Sequence, residues 1–238
     1  MVKAILSGTK TQTRRLLPEW CNDFGNVEIV KDPELCDQKA LEWNELKEKQ
    51  CHGLYACFDK GEEHLKCKYA VGDIIYVRET FYAYGNWVKN KLNKSGKQKF
   101  KFLDFTLLND FKYRYEDNKP LRVKTGRTNE IGWYKRPSLF MPKEAARIFL
   151  EITDIRAERL NDISEDDAIA EGIYRWTEER MTGKPIRYQI YQSEKGDDSM
   201  YCSSPINSYE SLWESINGKG SWDSNSFVLA ITFKTKII

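Results

Sequence analysis

Apolar positions along the chain change their spacing several times, and each spacing predicts an element. Val2, Ile5 and Leu6 share one side of a helical turn, so residues 2–7 are expected to form a short helix closing at Gly8. Residues 26–30 read as a strand, and residues 37–50 as an amphipathic helix with Leu41, Glu42, Glu45 and Lys49 at helical spacings. A turn at Gly72-Asp73 leads into a β-branched run from Ile74 to Thr80 that predicts a strand. Residues 85–99, rich in Lys, Asn and Gly, predict a long loop. The loosely alternating aromatics of residues 100–117 suit a hairpin arm or an inserted subdomain. Trp133 to Met141 is expected to be extended, Pro142 to open one helical turn ending at Ala146, and Arg147 to Ile155 to form a strong strand. Ser164 and Asp167 fit the capping box of a short helix that Gly172 closes. Residues 174–204 are polar without a clear period and predict a mobile insertion. Pro205 to Asn217 then predicts a helix, with Leu212, Trp213 and Ile216 facing inward and Gly218 as its stop. Phe227 to Lys236 predicts the final strand.

Strands this widely separated, with short helices between them, suit an α+β fold around a small mixed β-barrel better than a βαβ series. With 238 residues the chain is expected to be one domain, residues 1–238, carrying long insertions, or at most two small domains. A 40% hydrophobic and 13% aromatic composition is enough for a core. No apolar run is long enough to cross a membrane, and the first ten residues are too poor in apolar side chains for a secretory signal. A cytoplasmic protein without a membrane partner is expected.

The formal net charge of +2 is close to balanced, whereas a dedicated duplex-DNA binder shows a clearer basic excess. Basic residues do concentrate locally, at Lys89, Lys91, Lys94, Lys97, Lys99 and Lys101. That run is either a solvated, mobile loop or a surface that tracks phosphates. The six cysteines, Cys21, Cys36, Cys51, Cys57, Cys67 and Cys202, do not suggest a disulfide framework in a chain without a signal peptide. Cys51, Cys57 and Cys67, with His52 and His64 nearby, could hold zinc, but no pair has the C-x2-C spacing of a zinc knuckle, and buried or free thiols are the expectation.

With His52 and His64 as the only histidines, both in the Cys-rich stretch, a Ser-His-Asp triad is not expected. No G-x-x-x-x-G-K-[ST] loop or dinucleotide fingerprint is present, which removes the kinase, ATPase and dehydrogenase readings. Catalysis, if any, falls to Lys, Thr or Ser, Glu or Asp, and Arg.

One segment, Gly8 to Arg15, does carry a pattern: Gly8, Lys10, Thr13 and Arg15 follow G-x-K-x-x-[ET]-x-R. Taken bare, it is equally a helix end followed by a basic, solvated strand. Together with the elements downstream it resembles the ASCH domain of the PUA-like superfamily. The matching features in order are Gly72-Asp73 before a strand, Leu150 to Asp154, the short helix ending Ala170-Glu171-Gly172, and a closing helix and strand. Phrases such as Val77 to Thr80, Arg136-Pro137, Met141-Pro142, Ile163 to Asp166, Leu212 to Gly218 and Gly220 to Trp222 resemble prophage-encoded ASCH-like proteins. The resemblance leaves residues 18–65, 85–130 and 174–204 as insertions. Relatives open with an apolar strand ahead of the first helix, whereas this sequence starts at the helix. Losing that edge strand would expose backbone donors and acceptors, so dimerisation or lower stability would follow, and a monomer or weak dimer is expected.

Within the superfamily, an amidohydrolase that removes the acetyl group of N(4)-acetylcytidine has the pattern G-x-K-T-x-T-x-R, which this chain repeats. The resemblance implies Lys10, Thr13 and Glu171 as a catalytic set, with no metal or cofactor. Thr13 would be the nucleophile, Lys10 its base if burial lowers its pKa, and Glu171 the group that orients water or protonates the leaving amine. Arg15, with its planar donors, would hold a carbonyl oxygen, phosphate or base edge. Arg78 and Glu79 either line the same mouth or form an ion pair, and Arg136 joins them as a substrate contact. The bland readings stand beside these: Lys10 as a phosphate or solvent contact, Thr13 as an ordinary β-branched strand residue. Glu171, in the last turn of an acidic helix, opposes the helix dipole. The implied ligand is a nucleoside, modified base or single-stranded nucleic acid. The rival functions are a non-catalytic RNA- or DNA-binding regulatory module and an adaptor for a host factor.

Overall fold

A computed structural model describes residues 2–31, 54–59, 63–176, 187–191 and 201–237. The expected helix at 37–50, the candidate zinc ligands Cys51 and His52, and most of the expected insertion at 174–204 lie outside these residues. In chain order the elements are α1 (Val2–Leu6), β1 (Gln12–Leu16), β2 (Val27–Lys31), β3 (Leu54–Phe58), β4 (Glu63–Lys66), β5 (Ile74–Tyr76), β6 (Phe81–Leu92), β7 (Gln98–Asp104), β8 (Gly132–Arg136) and β9 (Ile148–Arg159). They continue with α2 (Glu165–Ala170), β10 (Arg175–Trp176), β11 (Arg187–Gln189), β12 (Tyr201–Cys202), α3 (Pro205–Asn217) and β13 (Phe227–Ile237). The fold is mixed and mostly β, with sheets in the orders β1-β13-β9-β5, β2-β3-β4, β10-β11-β12 and β7-β6-β8. Among the described residues these strands do not close into one barrel. No described helix is long and apolar enough to cross a membrane.

The chain divides into two compact units, Met1–Ile75 with Leu150–Lys236, and Tyr76–Phe149 with Ile237–Ile238. In the first unit, alternation along β13 feeds two cores. Phe227, Leu229 and Ile231 join Ile152 and Ile155 of β9 against Leu54, Ala56 and Phe58 of β3. Val228, on the opposite face of β13, joins Ala168 of α2 and Tyr209 and Trp213 of α3. Ser204 and Pro205 start α3 as an N-cap and first residue should, Ser204 Oγ accepting from Asn207 N–H. Its buried stripe runs Pro205, Tyr209, Trp213, at i, i+4 spacing. Ile216, expected to face inward, is instead 72% exposed, because the stripe ends one turn earlier.

The second unit is built on β7-β6-β8. The long loop expected at 85–99 is instead the arm of a hairpin: β6 continues to Leu92 and β7 starts at Gln98. Asn93 makes the turn, its side-chain oxygen accepting from the amides of Ser95 and Lys97. The strand expected from Ile74 to Thr80 is shorter, ending at Tyr76.

Candidate functional site

Lys10 owes its position to a glycine. Gly8 N–H closes α1 by donating to Ile5 O (3.0 Å), and Gly8 takes a φ of 75°, so the chain reverses and Lys10 N–H donates to Ala4 O at 2.9 Å. Lys10 then bridges Glu171 in antiparallel fashion, and Thr11 N–H donates to Ala170 O (2.8 Å). Lys10 Nζ donates to the Glu171 carboxylate Oε2 at 2.7 Å and to the Glu171 main-chain oxygen at 2.6 Å. Both residues are buried, 6% and 5% exposed. Glu171 is the C-cap of α2, where the backbone carbonyls present partial negative charge and a carboxylate is unwelcome. The Lys10 ammonium offsets both at once, so the contact acts as a helix cap.

Arg14 is the hub beside it. By strand alternation Gln12 and Arg14 share a face of β1, and both are buried. Arg14 Nε and Nη2 donate to Glu158 Oε1 (3.1 and 2.6 Å), Nη2 also reaches Asp167 Oδ2 at 3.2 Å, and Nη1 reaches Gln12 Oε1 (2.6 Å) and Glu171 Oε1 (3.3 Å). Its guanidinium carbon lies 5.9 Å from the centre of the Tyr209 ring. Tyr209 Oη is 3.5 Å from Glu171 Oε1. Burial works against the charge of Arg14, but Glu158 and Glu171 outweigh it and hold its pKa above the ordinary value. Burial lowers the pKa of Lys10; the charge and hydrogen bond of Glu171 oppose this, Arg15 and Arg14 add to it, and the net direction is down. Burial also pushes the Tyr209 phenol up, reinforced by Glu171.

A cavity of about 380 Å³ opens against this network. Lys10, Thr13, Arg14, Arg15 and Glu171 line it, and Tyr191, Tyr209, Leu212 and Trp213 supply an aromatic and apolar wall. Among the described residues the buried indole N–H of Trp213 has no acceptor. Among the described residues β1 is an edge strand of its sheet. Leu17 N–H donates to Phe227 O and Phe233 N–H to Thr11 O, so the two-residue period turns the backbone of Thr13 and Arg15 toward β13. The backbone groups of Arg14 and Leu16, both in the cavity lining, point the other way, along the open edge.

Of the residues singled out in the sequence, Lys10 and Glu171 meet, and Thr13 and Arg15 line the same cavity. The Thr13 side chain shares a face with Ile231, opposite Arg14, and its hydroxyl bonds to neither Lys10 nor Glu171. Arg15 is exposed. Arg78, Glu79 and Arg136 belong to the second unit and are engaged there. Arg78 lies 5.8 Å over the Tyr76 ring, and Glu79 is paired with Arg147 rather than with Arg78. Arg136 stacks 4.4 Å from the Phe102 ring centre and 4.6 Å from that of Trp87. Cys57 and Cys67 are buried, and among the described residues no group of His, Cys, Asp and Glu is placed to hold a metal.

Sequence reasoning missed Arg14, Gln12, Asp167 and Tyr209. The signal for the first two was the alternation Lys10, Gln12, Arg14, which puts three polar groups on one face of a short strand. Tyr209 stands four residues before Trp213 on a helix already expected to bury that Trp. Comparison of the chain with protein-family models, with curated proteins and with solved structures gives no match.

Proposed function

We propose that this chain is an ASCH-type protein of PUA-like architecture whose cavity binds a nucleoside or modified base and hydrolyses an acyl amide on it, with N(4)-acetylcytidine as the type substrate. The observation that carries this reading is the buried Lys10–Glu171 pair, made by residues 161 positions apart, in the wall of a cavity that Thr13 also lines. Its volume of about 380 Å³ falls in the range of small-molecule sites, roughly 300–1,000 Å³. Its wall mixes rings that can face a base with outward backbone groups on β1 that can read a base edge.

Burial lowers the pKa of Lys10, which lies 2.7 Å from the Glu171 carboxylate, toward the amine form that can act as a base. In that form Lys10 takes the Thr13 hydroxyl proton as Oγ1 attacks the acyl carbon, and the same proton passes by way of Glu171 to the departing amine. The resulting Thr13 ester is hydrolysed by water activated by the same pair, which restores the hydroxyl and releases the acid. Arg15 and the outward N–H groups of β1 stabilise the developing oxyanion. Since the Thr13 side chain stands on the face of β1 opposite Lys10, Gln12 and Arg14, a swing of Lys10 alone does not reach it, and the mechanism requires the edge strand β1 to rearrange when substrate enters.

The test is chromatographic assay of free nucleoside released from N(4)-acetylcytidine and other N-acylated nucleosides. Thr13→Val keeps the β-branched shape without the hydroxyl and is expected to fold normally while losing turnover about 100-fold or more. Failure of the wild-type protein to turn over any member of the panel rejects the reading.

A further inference from the structure

The near-neutral charge of the whole chain conceals a division. Between Tyr76 and Phe149, the body of the second unit, there are seventeen Lys and Arg against seven Asp and Glu, so this unit carries +10 while the remainder of the chain carries −8. Four of those seven acids, Glu79, Glu116, Asp117 and Glu130, are already paired with Arg147, Lys135 or Lys124. None of the six lysines between Lys89 and Lys101 forms an ion pair among the described residues, and all six are exposed. Uncompensated charge of this density repels itself and is offset best by a polyanion.

The sheet that carries the charge has two different faces. Register places Phe81 and Ala83 on one, in a core with Tyr115 and Met141. The other face brings together Tyr84 and Trp133, paired across β6 and β8, with Lys135 beside them and Lys101 and Lys99 following along β7. Tyr84 and Trp133 are half-buried, and Phe111, 41% exposed, packs 4.8 Å from the ring of Tyr84 and 5.6 Å from that of Trp133. Arg114 lies 5.3 Å over Trp133. Partly open rings on one sheet face, bordered by Lys101 and Lys99 at strand spacing, match the two chemistries of a single-stranded nucleic acid: π-faces of unpaired bases and a regular row of phosphates. A duplex offers the phosphates but keeps its base faces stacked.

We propose that the Tyr84–Trp133 face of the second unit binds single-stranded nucleic acid, bases against Phe111 and Trp133 and backbone along Lys101 and Lys99 of β7 toward the lysines of the hairpin turn. This surface is separate from the Lys10 cavity, and its binding does not depend on any chemistry there.

The test is fluorescence anisotropy of the full chain with a labelled oligouridylate, the matching oligodeoxythymidylate and a duplex, each of about 16 nucleotides, long enough for one such site. Single strands are expected to bind more tightly than duplex, and the comparison of uridylate with deoxythymidylate tells RNA from DNA preference. Phe111→Ala and Trp133→Ala should each weaken binding about ten-fold. Replacing the six hairpin lysines with Gln should weaken it further and flatten the log–log salt dependence by roughly 0.7 for each phosphate no longer neutralised. The lysines and Phe111 are exposed, so these variants test the surface even if Trp133→Ala does not fold. Equal or tighter binding of duplex, indifference to both ring and lysine substitutions, or no binding at low salt overturns the proposal.

Discussion

Gly172 lies so close to the stem of Lys10 that a Cβ in its place would stand 2.6 Å from Lys10 Cβ, and its φ is 81°. Real Cβ atoms do not approach that closely, and the neighbour is the root of a side chain whose tip is held by Glu171. Gly172→Ala therefore combines left-handed backbone strain with displacement of Lys10, and is expected to cost about 2–3 kcal/mol. Gly8→Ala is the control: φ is 75° there too, but nothing lies within 4 Å of the added methyl. It should cost only the backbone term, about 1–2 kcal/mol. Urea denaturation of the two variants measures the difference, and equal costs would show that crowding against Lys10 contributes nothing.

The lowered pKa of Lys10 gives the proposed activity a defined pH dependence. Burial is the main cause, Glu171 opposes it, and Arg15 and Arg14 reinforce it. A base acts unprotonated, so kcat/KM should rise with pH through an ionisation below the ordinary Lys value of about 10.4. Stability has a matching sign. Between the lowered folded pKa and the ordinary unfolded one, the unfolded chain binds more protons at Lys10, so its contribution favours folding increasingly as pH rises. Lys10→Met should abolish both dependences, read from a pH–rate profile and from denaturation at several pH values. An unchanged profile in that variant assigns the ionisation elsewhere.

Much of the first unit was legible because its signals are local. Ser164 and Gly172 bracket α2, Ser204 and Gly218 bracket α3, and Gly8 turns α1 back so that Lys10 faces the end of α2. Once the Gly8–Arg15 resemblance had singled out Glu171, the pair followed. Arg14 was passed over because it stands at a variable position of that pattern, although it has the larger set of partners. The β6–β7 hairpin was invisible for a different reason. Residues 89–99 are polar and exposed, so no burial alternation marks them, and their strand conformation comes from cross-strand pairing and the Asn93 turn rather than from propensity. The charge of the second unit was hidden in the same way, cancelled in the total by an acidic partner whose boundaries only the fold reveals.

Arg14 supports a prediction that separates charge from shape. Its side chain is fully buried, and it donates to Gln12, Glu158, Asp167 and Glu171 through a planar fork that an ammonium cannot reproduce. Arg14→Met leaves three carboxylates without their shared counter-charge. One-sided removal of a buried pair costs about 3–5 kcal/mol, and the low end is expected because Lys10 still pairs with Glu171, Arg156 still pairs with Glu158 and Asp167, and the last two keep 19% and 23% exposure. Arg14→Lys should recover less than half of that cost. Chemical denaturation of both variants decides it, and full recovery by Lys would show that charge alone, not the fork, holds the site.

In the second unit one guanidinium holds two acids in different surroundings. Arg147 grips Glu79 with two bonds, Nε to Oε1 at 2.8 Å and Nη2 to Oε2 at 3.0 Å, while Nη1 meets Asp117 Oδ2 at 2.7 Å. The ring of Tyr115 lies 3.9 Å below the guanidinium carbon. The Glu79 side chain is 8% exposed and that of Asp117 56%. Distance alone ranks the Asp117 bond first, but solvent screening acts on it and hardly on the other. The hydrogen bond and charge of Glu79 raise the Arg147 pKa most, with burial opposing and Asp117 adding to it. A double-mutant cycle between Glu79→Ala and Arg147→Ala should give a coupling of about 2 kcal/mol, as for charge-assisted bonds out of water. The cycle between Asp117→Ala and Arg147→Ala should give less than about 1 kcal/mol and shrink further in high salt. A larger coupling for Asp117 would mean that the two-pronged, buried grip on Glu79 is not what orders this end of the unit.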